Sequence, residues 1–139
     1  MSEVIIFDDI EAAVITRVRA ELVARSDTAT VSNEGYKPSS PTERPARLVV
    51  IQRIGGAQQS LVIDGATLSV TCYDSTYAGA YELVSLVRGI IRSLVNEYLS
   101  GILVTQVTDM SAPYHLPHSV SNNPRYDYSV RVAYRGAAE

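Results

Sequence analysis

The feature that most constrains this chain is a stripe of apolar residues between Tyr77 and Tyr98: Ala80, Leu83, Val84, Val87, Ile90, Ile91, Leu94 and Val95. Their spacing matches the 3.6-residue repeat, so the stretch is a helix of about five to six turns with one apolar face. Glu82, Arg88, Arg92 and Asn96 fall away from that face, and Ser100-Gly101 is expected to close the helix. Gly89 sits inside the helix at a cost of about 1 kcal/mol, which predicts a close neighbour there. In a chain of 139 residues the stripe is needed as core, because a sheet has to be covered and little else is long enough to cover it.

The sheet is written around this helix. Leu48 to Ile54 is apolar at nearly every position, as in a strand covered on both faces, and Gly55-Gly56 is expected to end it in a hairpin loop. Leu61 to Ile63 reads as a short return segment before Asp64-Gly65, after which Leu68, Val70 and Cys72 alternate with polar residues. Beyond the helix, Ile102 to Val107 reads as another strand. Tyr126, Tyr128, Val130, Val132 and Tyr134 alternate with Asp127, Ser129, Arg131, Ala133 and Arg135 in a long terminal one. A second amphipathic helix starts at Asp8 or Asp9 and runs to about Arg25, with Ile10, Val14, Val18 and Leu22 every four residues and Ala13 beside them. Asp27 to Asn33 is Thr-rich and fits a short strand. Two Pro-bearing loops remain, Glu34 to Pro45 and Ala112 to Pro124, each longer than an ordinary connection. The expected fold is α+β: one domain over residues 1–139, a mostly antiparallel sheet with both helices on one face.

Composition narrows the function. A net charge of −3 argues against tight nucleic-acid binding, which depends on neutralised phosphates. The longest apolar run is far short of the roughly 20 residues that span a bilayer, so no membrane role is expected. Cys72 is the single cysteine, which excludes an internal disulfide, and the N-terminus lacks signal-peptide features; both fit the cytoplasm. Eleven of the twelve basic residues are Arg, and nine of the ten aromatics are Tyr. Arg and Tyr are enriched at protein interfaces and Lys is depleted. A GC-rich genome accounts equally well for the Arg bias, but poorly for Tyr over Phe and Trp.

Catalytic signatures are missing. There is no G-x-G-x-x-G, no G-x-x-x-x-G-K-[ST], no G-x-S-x-G and no H-E-x-x-H. His115 and His118 form an H-x-x-H that, with Asp109 or Asp127, has the donor types of a metal site, but it lies in a Pro-flanked loop rather than on a rigid helix. Cys72, on the apolar side of its strand, reads as a small hydrophobe. Neither enzyme activity nor a cofactor is expected.

In order and spacing these pieces resemble the tail terminator (tail completion) family of long flexible-tailed bacteriophages. The resemblance rests on the N-terminal helix, R-P-A-R-L-V-V-I-Q-R-I-G-G from Arg44 to Gly56, A-T-L-S-V-T-C-Y-D from Ala66 to Asp74 and the long helix. It continues through A-P-Y-H-L-P-H-S-V-S-N-N-P-R-Y from Ala112 to Tyr126 and Y-D-Y-S-V-R-V-A-Y-R-G from Tyr126 to Gly136. Tyr73 stands where such sequences often carry Trp. The resemblance implies a homo-oligomeric ring, a hexamer, in the virion tail after assembly in the host cytoplasm. Its implied partners are the major tail tube protein and a head-completion or connector protein, with DNA passing through the lumen without specific binding. Candidate interface residues are Tyr36, Arg47, Arg53, Tyr114, His115, Arg125, Tyr126 and Arg131. A head-tail connector or minor tail protein is the alternative within the same class, and a small metal-binding enzyme using His115 and His118 the alternative outside it.

Overall fold

Asp9 fixes the start of the first helix: its backbone is extended and its carboxylate accepts the Ala12 N–H at 3.1 Å, as an N-cap does. The computed structural model describes residues 3–33, 45–115 and 124–138. Strand β1 (Ile5–Ile6) precedes helix α1 (Ile10–Ala24), and β2 (Thr30–Ser32), β3 (Leu48–Gln58) and β4 (Ile63–Tyr73) follow. Helix α2 (Tyr77–Arg92) leads to β5 (Tyr98–Leu99), β6 (Ile102–His115), β7 (Arg125–Arg135) and β8 (Ala137–Ala138). Six strands form one sheet in the order β2-β3-β4-β7-β6-β5, in which β2 and β3 are parallel and the other neighbours antiparallel. β1 and β8 form a small antiparallel ribbon.

The α+β fold expected from the sequence is the one found, with both helices packed against the same side of the sheet. Ile10, Val14, Val18 and Leu22 of α1, and Leu83, Val84, Val87 and Ile91 of α2, are buried. They meet Val49 and Ile51 of β3, Leu68, Val70 and Cys72 of β4, and Tyr128, Val130, Val132 and Tyr134 of β7. Period-2 alternation along β4 and β7 is in register, Leu68 opposite Val130 and Val70 opposite Tyr128, so one face is apolar and the other carries Ser69, Thr71, Asp127 and Ser129.

Five local expectations are corrected. Helix α2 stops at Arg92, earlier than Tyr98. Ser93 caps it by donating from its hydroxyl to the Ile90 carbonyl, and Asn96 then takes a left-handed φ of 65° that turns the chain back. Leu94 stays buried without being helical, while Val95 is half exposed. Ser100-Gly101 is therefore a hairpin turn and not a helix cap. Both residues have positive φ, 51° and 86°, between paired Leu99 and Ile102, the geometry that suits the twist of a two-residue hairpin. Nor do Gly55 and Gly56 end a strand. They lie within β3 at a bulge, where the register against β4 shifts between Arg53 and Gly55, and β4 runs unbroken through Asp64-Gly65. Finally, β6 continues to His115, so Ala112–His115 is strand where a loop was expected. Residues 116–123 of that loop and 34–44 of the first, including Tyr36 and His118, lie outside the described residues. Gly89 has no close neighbour; it faces outward.

Gly56 has φ +127°, and a Cβ placed there would run into the backbone carbonyl of Gly65 on the paired strand. Gly56→Val is expected to open the outer half of the β3–β4 hairpin, a local loss of roughly 1–3 kcal/mol. Hydrogen exchange should show protection lost at Gly55–Gln58 and Asp64–Thr67 while the amides of α2 remain protected.

Candidate interface surfaces

Both helices occupy one side of the sheet, and among the described residues no helix packs over the other side, the open face. A shallow cavity of about 520 Å³ lies on it, lined among others by Gln52 and Ile54 of β3, Thr71 and Tyr73 of β4, Tyr114 of β6 and Arg125 and Asp127 of β7. Strand alternation brings these residues to one face although they are spread over four strands. Asp127, 7% exposed, organises the floor. One carboxylate oxygen accepts the Thr71 hydroxyl and the other accepts from Arg125 Nε at 3.1 Å. The Arg125 guanidinium lies 5.9 Å from the centre of the Tyr73 ring, within cation–π range. Tyr114 stands half exposed at the margin. Chemically this is a polar, hydroxyl-rich surface with one internally balanced charge pair.

A second surface lies around the edge of the sheet at the start of α2. Tyr77, His115, Tyr126 and Tyr81 form a row of edge-on rings with successive centroid separations of 5.5, 5.6 and 5.4 Å. His115 and Tyr126 are register partners on β6 and β7, and α2 supplies the outer two rings. Tyr77 and Tyr81 are the residues that sequence reasoning missed. The signal was available in their i, i+4 spacing on the polar side of α2, where two exposed tyrosines need a reason.

Other candidates also make contacts within the chain. Arg47, at the entrance to β3, donates from Nε and Nη2 to both oxygens of Asp27 at 2.9 and 2.7 Å. Its Nη1 donates to Asp74 Oδ2 at 2.9 Å and to the Gly79 carbonyl at 3.3 Å. One guanidinium thus joins the segment before β2, the end of β4 and the first turn of α2. The Arg47 hydrogen bonds hold the Asp27 carboxyl below its ordinary 3.8, against the opposing effect of burial. In turn the bond to Asp27 raises Arg47 further above its usual value.

Arg53 donates to the Tyr134 hydroxyl at 2.9 Å and to Asp64 Oδ2 at 3.1 Å, and Tyr134 donates to the same Asp64 oxygen at 3.0 Å. Burial works to raise Asp64, and the Arg53 and Tyr134 hydrogen bonds overcome it and leave its pKa lowered. Arg131 is half-buried on the open face of β7 opposite Thr67 and Thr108, beside Gly65. Arg88 binds Asp109 Oδ2 through Nε and Nη2 at 2.9 and 2.6 Å, tying α2 to β6. Cys72 is fully buried, which pushes its thiol well above the usual range and leaves it a poor nucleophile. Among the described residues, no group of three or more His, Cys, Asp and Glu side chains is placed to hold a metal ion.

No family model matches this chain, and no curated protein matches it. Solved structures do. One chain from the virion of a native gene transfer agent particle superposes with a TM-score of 0.62 at 20% sequence identity, over 91% of this chain and 95% of that one. The likeness extends to the whole fold.

Proposed function

We propose that this chain is a structural virion protein without enzymatic activity. On this reading it forms a ring at the head-proximal end of a phage-type tail tube, ends tube growth there and presents a surface for head attachment. The observation that carries the reading is the shared fold with a chain of a gene transfer agent virion, spanning nearly the full length of both. Three features support it. The open face carries Tyr, Arg and hydroxyl groups, suited to protein contacts. The net charge of −3 suits a passage through which DNA slides without sticking. The sheet offers an open face and an aromatic row as separate surfaces, and a capping subunit needs at least two.

Capping follows from the geometry of heterologous contacts. A tube grows because each ring offers the next an identical surface, and it stops when the end is occupied by something that matches on one face only. The ring is expected to be hexameric, with the major tail tube protein on one side and a head-completion or connector protein on the other. Of the contact candidates, Arg53, Tyr114 and His115 are exposed and Arg47, Arg125, Tyr126 and Arg131 partly so, and Tyr36 belongs with them from the sequence.

Deleting the gene should give filled heads without tails, and free tubes of irregular length. Electron microscopy of the lysate measures this. Tails of uniform length attached to heads would refute the terminator assignment. Heads that leak their DNA beside finished tails of normal length would point to a connector instead.

A further inference from the structure

Among the described residues, both edges of the six-stranded sheet are covered over only part of their length. β2 covers β3 only at Leu48–Val50, and Glu11 Oε2 takes the Arg53 N–H at 2.7 Å. Among the described residues, Ile54–Gln58 then has no strand on its outer side. On the opposite edge β5 pairs only with Ile102 and Leu103 of β6, and among the described residues Thr105–His115 has no outer strand. Exposed edges are normally protected by lysines, inward-pointing charges, prolines or brevity. Here Ile54–Gln58 carries no charge at all. The charged residue of the β6 edge, Asp109, is bound to Arg88, and Pro113 lies near the end of the run. Ile54 is 61% exposed and Met110 56%.

The polarity of these edges is complementary. β3, β4, β7 and β6 alternate in direction, so β3 and β6 of one chain run opposite ways. When a second copy is placed beside the first with the same face outward, its β3 therefore meets the first copy's β6 antiparallel. β6 also carries register shifts after Val104, Asp109 and Ser111, and bulges of this kind bend a strand, so a sheet continued through it curves instead of growing flat. We infer that the occupant of each edge is a second copy of this chain: β6 of one subunit pairs antiparallel with Ile54–Gln58 of the next, carrying one curved sheet from subunit to subunit. This contact rests on the ring reading above and specifies how its subunits join.

Cysteine pairs test it directly. Within one chain β3 and β6 are separated by β4 and β7, about 14 Å at the usual strand spacing, beyond the roughly 7 Å reach of a disulfide. Any disulfide between them joins two chains. Ala57→Cys is combined in turn with Thr108→Cys, Met110→Cys or Ala112→Cys, leaving buried Cys72 in place, and oxidised both as purified protein and within particles. At least one pair should give a covalent ladder of several chains on denaturing gels, while each single variant gives none. In parallel, Met110→Lys with Ala112→Lys should lower the assembled fraction at least tenfold by native mass spectrometry, with an unchanged circular dichroism spectrum.

Rings that give no ladder with any pair overturn the inference and leave the ring reading standing. So do rings that persist in the folded lysine variant, or that persist there while joining to the tube is lost. Dimers from Met110→Cys alone overturn it in favour of a two-fold β6–β6 contact. A wild-type protein that is monomeric both free and in particles overturns inference and ring reading together. If the lysine variant fails to fold, the ladder alone decides.

Discussion

Arg47→Ala is expected to destabilise the chain by about 3–5 kcal/mol, the range for removing one partner of a buried ion pair. The magnitude follows from what remains behind. Asp27 and Asp74 are 11% and 16% exposed and would be left facing each other's charge without the guanidinium that now binds both. The Gly79 carbonyl at the start of α2 would lose a donor as well. In a domain of this size such a loss lowers the melting temperature by roughly 10–15 °C. Arg47→Lys should recover only part of it, since an ammonium has no fork for the two Asp27 oxygens.

The same contact fixes the acid limb of stability. Asp27 titrates below 3.8 in the folded chain, so its contribution is present above that value and is lost as the pH falls through the lower folded value. Thermal melts from pH 7 to pH 2 should show a fall below about pH 4 in the wild type. A flatter acid limb in Arg47→Ala is the expected signature, and an unchanged limb would remove Asp27 from the explanation.

Tyr134→Ala should be of similar size, about 3–5 kcal/mol for an aromatic truncated in a core. Tyr134 is fully buried, packs edge-on against Phe7 at 6.0 Å and joins Arg53 to Asp64 through its hydroxyl. Tyr134→Phe separates the two parts. It keeps the ring and removes only the hydroxyl, so it should lose about 1–2 kcal/mol. Chemical denaturation of the pair checks this. If Tyr134→Phe loses as much as Tyr134→Ala, the hydrogen-bonded junction and not the packing holds β3, β4 and β7 together at this point.

What could be read in the sequence was whatever the chain encodes locally. The stripes Ile10-Val14-Val18-Leu22 and Leu83-Val84-Val87-Ile91 became buried helix faces, and Tyr128 to Tyr134 became a strand with its apolar side inward, because period alone decides these. The end of α2 escaped because Leu94 and Val95 continue the apolar pattern, while the decision is made by Asn96 in a left-handed conformation. Gly55-Gly56 was ambiguous for a different reason. A glycine pair marks unusual backbone, and whether that is a turn or a bulge depends on a partner strand, here β4, that pairing alone reveals. Arg47 and Arg53 stood out as Arg, a residue type of interfaces, but their partners Asp74 and Tyr134 are 27 and 81 residues away. Nothing in spacing shows that these arginines also bind their own chain. The aromatic row has the same character, since His115 and Tyr126 meet Tyr77 and Tyr81 only after the sheet has formed.

The strand order has a consequence for how the molecule comes into being. β3 and β4 are joined by a short hairpin, but β4 finds its other neighbour, β7, only after α2, β5 and β6 have been made, with Tyr73 opposite Arg125 and Ile63 opposite Arg135. Closing a loop of that length costs chain entropy before any central contact repays it, which places the chain among slow, nonlocal folders. While β7 is still being synthesised, the β4 edge that it will fill is unpaired, and α2 lacks the β7 part of the core it packs against. The chain acquires its sheet only with its last strand, and until then the open strands that suit it to joining others are its greatest exposure to misassembly.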